Sequence, residues 1–436
     1  MHLTGTMRIN GFGNLEIGGV DATKLVEQYQ TPLWVIDETG FRENCRAFRN
    51  AFRVSGDTLV LYASKALCNT ALCKIVNEEG LGLDVVSGGE LFTAMNAGFP
   101  MEKVYFHGNN KSPGELEMAV ALGVGRVVVD NFQELKTLNQ ICQGLQVKQD
   151  ILLRITPGVE AHTHEFIKTG QIDSKFGFTL PGGQAMEAVQ AALGCGALKL
   201  VGLHCHIGSQ IFEMESFEHA AELMMHFMAD VKELTGHEFQ ELDIGGGFGI
   251  YYFPGDEPRK PDDWAQAVTK AVQSKADQYG LKKPRIIVEP GRAIVGPAGI
   301  TLYTVGSSKE VPGIRKYIAV DGGMTDNPRP ALYGSKYLAM VANKAVQEAT
   351  EQVSIAGKCC ESGDMLIWDA RLAPVESGDI VAVFATGAYN YAMSSNYNRI
   401  PRPAMILVKD GKSHLILKRE TYQDIVRNDL VPDYLK

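Results

Sequence analysis

The sequence predicts an α/β fold, a TIM (β/α)8 barrel accompanied by a second, mainly antiparallel β domain. Three observations carry this. Eight short apolar runs, each closing on a polar or glycine-rich corner, are spaced between residues 59 and 292. Between them lie amphipathic stretches whose apolar residues recur at three and four, the spacing of a helix face. Beyond residue 292 that spacing fades, and alternating β-branched runs punctuated by turn signals take over.

Taken in chain order, residues 8–20 and 33–37 read as strands ahead of the barrel, the second of them in TPLWVID. The barrel runs follow as LVLYASKA (59–66), GLDVVSG (82–88), VYFHGNN (104–110), RVVVDN (126–131), ILLRITPG (151–158), LVGLHCHIG (200–208), ELDIGGGFG (241–249) and RIIVEPGR (285–292). GGELFTAMNAGF and SFEHAAELMMHFMADVKEL are typical of the helical stretches between them. Eight parallel strands with eight crossover helices close into a barrel whose reactive groups sit at the C-terminal strand ends. Lys65, Asp84, His107, Asp130, Arg154, His206, Gly246 and Glu289 all fall at such ends. The remaining runs, GITLYTVGSSKE, KYIAVDGG, EQVSIAGKC, DIVAVFATGAY and AMILVKDGKSHLILKRE, lack helices between most of them, and KDGK marks a hairpin. Since strands occur at both ends of the chain, the expected layout is a barrel over 36–290 and a sandwich-like or Greek-key-like β domain from 1–35 plus 291–436.

At 436 residues the chain exceeds the size of a single core, which agrees with two domains. A net charge of −9 with scattered Lys and Arg excludes a concentrated basic face for nucleic acid. No apolar run approaches the roughly 18 residues of a membrane helix, and MHLTGTMRIN lacks a basic-then-apolar leader, so a cytoplasmic protein is expected. The eight cysteines form no C-x-x-C pair or disulfide framework and read as reduced thiols, most of them small buried apolar residues.

Lys65 stands at the end of an otherwise apolar strand. It is either a snorkelling surface group or a functional amine, because burying an ammonium unpaired is costly. A desolvated lysine makes Schiff bases with carbonyl cofactors. After the seventh run, DIGGGFG brings consecutive glycines, Gly246 and Gly247 among them, whose amides can approach a phosphate closely. The eighth ends on EPGR, delivering Glu289, Gly291 and Arg292 to the same rim. A surface ion pair is the plain reading, but a carboxylate beside a lysine and a phosphate cradle suits pyridoxal 5'-phosphate (PLP), whose ring nitrogen needs an acidic partner. His204 and His206, two apart and so expected on one face of a strand, admit a zinc site, with HTHE (162–165) as a second. That makes a metal-dependent barrel hydrolase the rival reading. The alternative for His206 is to stack on an aromatic cofactor, with Ser209 donating to its phosphate; this reading assigns no metal.

With Lys65, HIGS, GGGFG and EPGR in that order, the chain resembles the fold-type III PLP-dependent decarboxylases, which share their barrel with alanine racemase. The resemblance is closer still to the diaminopimelate decarboxylases, and covers YASKA, GLGLDVVSGGEL, FHGNNKS, AHTHEFIKTGQIDSKFG, GLHCHIGSQIF, EPGR, PRPALYG, CESGD and GAYNYAMSSNYN. It implies decarboxylation of meso-diaminopimelate at its D centre to L-lysine and CO2, the last step of lysine biosynthesis. Lys65 would then hold PLP and His206 would stack on its ring. Glu289 would pair with the ring nitrogen, and Asp84 would belong to the same cofactor pocket. The phosphate would rest on Ser209, Gly246, Gly247, Gly291, Arg292 and Tyr389. Substrate would be held by Arg292, Arg329, Tyr333, Glu361 and Tyr389. The resemblance also implies a homodimer in which Cys360, as proton donor, and Glu361 reach the neighbouring subunit's site; otherwise CCESGD is a polar turn with two buried thiols. A relative acting on D-lysine, D-ornithine or an acylated substrate, and a catalytically silent PLP-binding homologue, are the alternatives within the fold.

Overall fold

The computed structural model describes residues 3–54, 56–158 and 173–436. The chain divides into two compact units: residues 44–250 with 257–294, and residues 1–43 with 251–256 and 295–436.

The first unit is a closed parallel barrel. Its eight strands are Thr58–Ala63, Gly82–Val85, Val104–Phe106, Arg126–Val129, Gln149–Thr156, Leu198–His204, Glu241–Asp243 and Arg285–Val288, each paired with the next and the last with the first. All eight coincide with the apolar runs of the sequence. Strands covered by helices on one face and packed on the barrel interior on the other lose the alternating pattern, which is why they read as continuous apolar segments. Leu61, Tyr105, Val128, Leu152, Val201 and Ile287, from six different strands, form one buried cluster, so the barrel is a packed core and not a pore. A two-residue strand, Phe178–Thr179, extends the sheet beside the fifth strand. Helix starts follow the sequence: Asn69, Ser87, Ser112 and Asn131 each accept an N-terminal backbone amide.

The second unit is built from both ends of the chain. Strand Leu33–Asp37 lies between Gly299–Val311, antiparallel to it, and Ala404–Lys409, parallel to it. The 13-residue strand Gly299–Val311 pairs with Leu33–Asp37 and Ile380–Val383 along its first half and with Arg315–Val320 along its second. The register shifts between Val305 and Ser307, where Gly306 sits. Arg315–Val320 also runs parallel to Glu351–Ala356, so the sheet is mixed, with two parallel pairings among mainly antiparallel ones. Two strands, Ala339–Val341 and Met365–Leu372, were not among the runs read from the sequence. At the N-terminus Arg8–Ile9, Leu15–Ile17 and Val20–Asp21 make a separate antiparallel sheet ahead of helix Ala22–Tyr29. Leu15, Ile17, Leu25, Val35, Ile300, Leu302, Ala382 and Ile406 share the buried core of this unit.

Candidate active site

The barrel gathers its reactive groups where its strands end. After Thr58–Ala63 the chain tightens into a short 3-10 turn, Ser64–Ala66, with Ser64 and Ala66 buried and Lys65 half-buried between them. Beside it, Glu90 accepts from the Ser64 hydroxyl at 3.0 Å and from the Val86 amide at 2.7 Å.

Glu289 follows the eighth strand and is buried. Nε2 of His204 is 3.4 Å from its Oε2, and Nε2 of His107 is 2.8 Å from its Oε1. The His107 contact is short but poorly aligned for a hydrogen bond, so Oε1 keeps capacity for another donor. The two imidazoles meet edge to face, 4.8 Å between centroids. Burial alone would raise the Glu289 pKa, but His107 and His204 outweigh it and hold the carboxyl well below its ordinary value. Burial presses His204 down to about 3, so it is neutral. Asp84, 3.7 Å from His107 Nε2, is pushed up to about 6 by burial.

The ligand atoms of His107, His204 and Glu289 lie within 4.8 Å of one another. A tetrahedral zinc with bonds of about 2.0–2.1 Å holds its ligand atoms about 3.3 Å apart. The 2.8 Å His107–Glu289 separation is shorter than that, the spacing of two polar groups in direct contact. The two imidazoles of the rival zinc reading, His204 and His206, turn to different partners. The sixth strand ends at His204, whose ring turns to Glu289, while His206 lies beyond the strand and accepts from the Gly246 amide through Nδ1 at 3.2 Å. The HTHE segment lies outside the described residues.

Gly246 and Gly247 follow the seventh strand. A Cβ on Gly246 would meet the Glu289 carbonyl oxygen at 2.2 Å. On Gly247, at φ +115°, it would meet the Gly208 carbonyl oxygen at 2.3 Å. Only bare backbone fits here. The Gly246 amide, expected on a phosphate, is already given to His206; the amides of Gly247 and Gly291 have no acceptor among the described residues. Nη2 of Arg292 donates to Oγ of Ser209 at 2.8 Å, bringing two further expected phosphate contacts together. Burial and nearby Lys65 keep His206 well below its ordinary pKa, a neutral ring suited to stacking.

These residues fit PLP: an amine for its carbonyl, a buried carboxylate oxygen for its ring N–H, a neutral imidazole, and backbone amides for its phosphate.

The other expected residues belong to the β unit. Arg329 opens the short helix Arg329–Tyr333, is buried, and donates to the Tyr337 hydroxyl at 2.6 Å. Its guanidinium lies 5.2 Å from the ring of Tyr252, 5.8 Å from that of Tyr337 and 5.9 Å from that of Tyr389. Tyr252 and Tyr337 had no motif to single them out. Tyr333 is half-buried, and Cys360 and Glu361 are exposed. Hydrogen bonds pin their turn: the Asp364 carboxylate accepts from the amides of Met324 at 2.6 Å and Cys359 at 2.8 Å, and the Cys360 amide donates to Asn398 at 2.7 Å. Neither thiol of CCESGD is buried, contrary to the plain reading of that run.

A parallel barrel with a lysine after its first strand, a glycine cradle after its seventh and a buried glutamate after its eighth defines the class as a PLP enzyme. Residues 38–296 match the pyridoxal-binding domain of the pyridoxal-dependent decarboxylases. The chain is 54% identical to the diaminopimelate decarboxylase of Bacillus subtilis over 99% of its own length and 98% of that protein's. It is 42% identical to that of Staphylococcus aureus over 97% and 99%. Among solved structures, the diaminopimelate decarboxylase of M. jannaschii in complex with L-lysine superposes with a TM-score of 0.94, at 36% identity over the whole of both chains. The chain belongs to the diaminopimelate decarboxylase family, and PLP is its cofactor. Among the described residues, no helix is long and apolar enough to cross a membrane.

Proposed function

We propose that this enzyme removes the carboxylate from the D centre of meso-2,6-diaminopimelate, yielding L-lysine and CO2, and works in the cytoplasm as a homodimer with shared active sites. The observation that carries the substrate is the near-full-length identity of 54% to the Bacillus subtilis enzyme. No disulfide joins any of the eight cysteines, in keeping with a reducing compartment.

Bound in the barrel, PLP supplies an electron-accepting ring that takes up the electron pair left when CO2 departs. Lys65 would hold its carbonyl carbon through the side-chain amine. Glu289 would keep a proton on the ring nitrogen, with Asp84 in the surrounding pocket, and His206, steadied by the Gly246 amide, would stack on the ring. The amides of Gly247 and Gly291, together with Ser209, Arg292 and Tyr389, hold the phosphate. Arg329 is preorganised by Tyr337 and its tyrosine cage to fork onto the distal carboxylate, helped by Arg292, Tyr333 and Tyr389. Glu361 takes the distal ammonium, and Cys360 delivers a proton to the carbon that lost CO2, both from the partner subunit. The exposed, pinned turn that carries them supports that reach. Gripping the distal L end leaves only the D-centre carboxylate oriented for loss.

The test is turnover of meso-diaminopimelate by the PLP-loaded protein, following CO2 and L-lysine, with D-lysine and D-ornithine alongside. L-Lysine from the meso isomer alone is the expected result. Reaction of the D-diamino acids only would replace the substrate and leave the cofactor chemistry standing.

A further inference from the structure

We infer that His107 and His204 are positioning residues that clamp the Glu289 carboxylate from both sides, so that this pair, and not the carboxylate alone, fixes the proton on the cofactor's ring nitrogen. The inference rests on the PLP reading above. Each imidazole Nε2 faces a different oxygen of the same carboxylate, at 2.8 Å and 3.4 Å. All three side chains are at most 5% exposed. A carboxyl so buried without donors takes up a proton and becomes a donor itself, which would set it against a protonated ring nitrogen. The two imidazoles facing its oxygens oppose this, His204 as a neutral ring and His107 as a close electrostatic partner.

The clamp is also built on the barrel strands. His107 follows the third barrel strand, His204 ends the sixth and Glu289 follows the eighth, so three strands that are not neighbours converge on one carboxylate. The His107 amide donates to Val85 at 2.8 Å, which ties its backbone to the second strand. Nδ1 of His204 has no partner among the described residues, so its ring is held by Glu289 and by the edge-to-face contact with His107. Losing His107 should therefore loosen His204, and the two should couple in a double-mutant cycle. Asp84, Arg154, His206 and Cys205 also act electrostatically on the carboxylate, and the Asp243 side chain hydrogen-bonds with it; Lys65 acts in turn on Asp84 and His206.

The test compares His107→Leu and His204→Leu with His107→Gln and His204→Gln, which keep an N–H donor. Each is prepared as holoenzyme with PLP carrying 15N in its ring, and the nitrogen resonance reads its protonation directly. Expected are a deprotonated ring nitrogen in the Leu variants and PLP affinity and kcat lowered by about tenfold to a hundredfold, the range for losing groups that orient a ligating side chain. The substrate KM should barely move, and Gln should restore most of each loss. A ring nitrogen that stays protonated in the Leu variants, or Gln variants no better than Leu at equal circular dichroism, would overturn the clamp. Should the Leu variants not fold, His204→Asn, whose shorter amide cannot span the contact, takes their place with the same two outcomes. A wild-type protein that does not bind PLP would remove the cofactor reading itself, and the clamp with it.

Discussion

Lys65 is the residue on which the chemistry turns, and its substitution separates cofactor linkage from folding. Lys65→Ala should lose both the visible absorbance of bound PLP and all measurable turnover, while far-ultraviolet circular dichroism stays unchanged; turnover retained in that variant would remove the linkage role. Asp326 offers a residue-level test of stability. It accepts from the Tyr303 hydroxyl at 2.9 Å and the Gly323 amide at 2.9 Å, yet burial pushes its pKa up to about 7. A carboxyl raised on folding binds its proton more tightly in the native state, so stability falls as pH climbs from the unfolded value near 4 to about 7 and is level above that. Asp326→Asn should flatten that part of the melting-temperature profile between pH 4 and 7. Lys65, Glu289 and the glycine cradle were legible because each ends a recognisable strand. The pairing of His204 with Glu289 was not: 85 residues separate them, and only barrel closure brings them together.

The barrel strands were the most legible elements because burial on both faces makes them uniformly apolar. Met365–Leu372 escaped notice because its second half, WDAR, is largely solvent-facing and breaks the pattern. The mixed pairing of the β unit was equally hidden, since a strand's sequence carries little sign of its neighbour's direction. At the other end of the barrel, Arg126 and Glu241, which begin the fourth and seventh strands, form a forked ion pair at 3.0 and 2.8 Å. Glu241→Gln removes this charge and leaves the half-buried Arg126 with Asp150, 3.2 Å away, as its remaining carboxylate, and should cost about 1–3 kcal/mol. In the barrel core, Leu152→Ala should cost about 2–5 kcal/mol. Urea unfolding of both variants checks these values, and a Leu152→Ala loss below 1 kcal/mol would mean the interior is not close-packed.

For the whole molecule, the shared-site proposal predicts complementation. Cys360→Ala and Lys65→Ala should each be nearly inactive, but each hybrid dimer would carry one intact site. Random reassortment should then return about a quarter of wild-type activity. No recovery after verified subunit exchange would place each site within one chain. The existence of two domains was legible at this scale, because a barrel pattern gives way to alternating strands near residue 292. The central strand of the β unit, Leu33–Asp37, lies between Gly299–Val311 and Ala404–Lys409. On the ribosome it emerges early and then waits for its parallel neighbour. At about 5–20 residues per second the delay is on the order of 20–70 s, during which the whole barrel is synthesised. Nascent chains therefore pass through a stage in which the barrel is complete while an apolar strand awaits its sheet, and chaperone capture should peak in that interval.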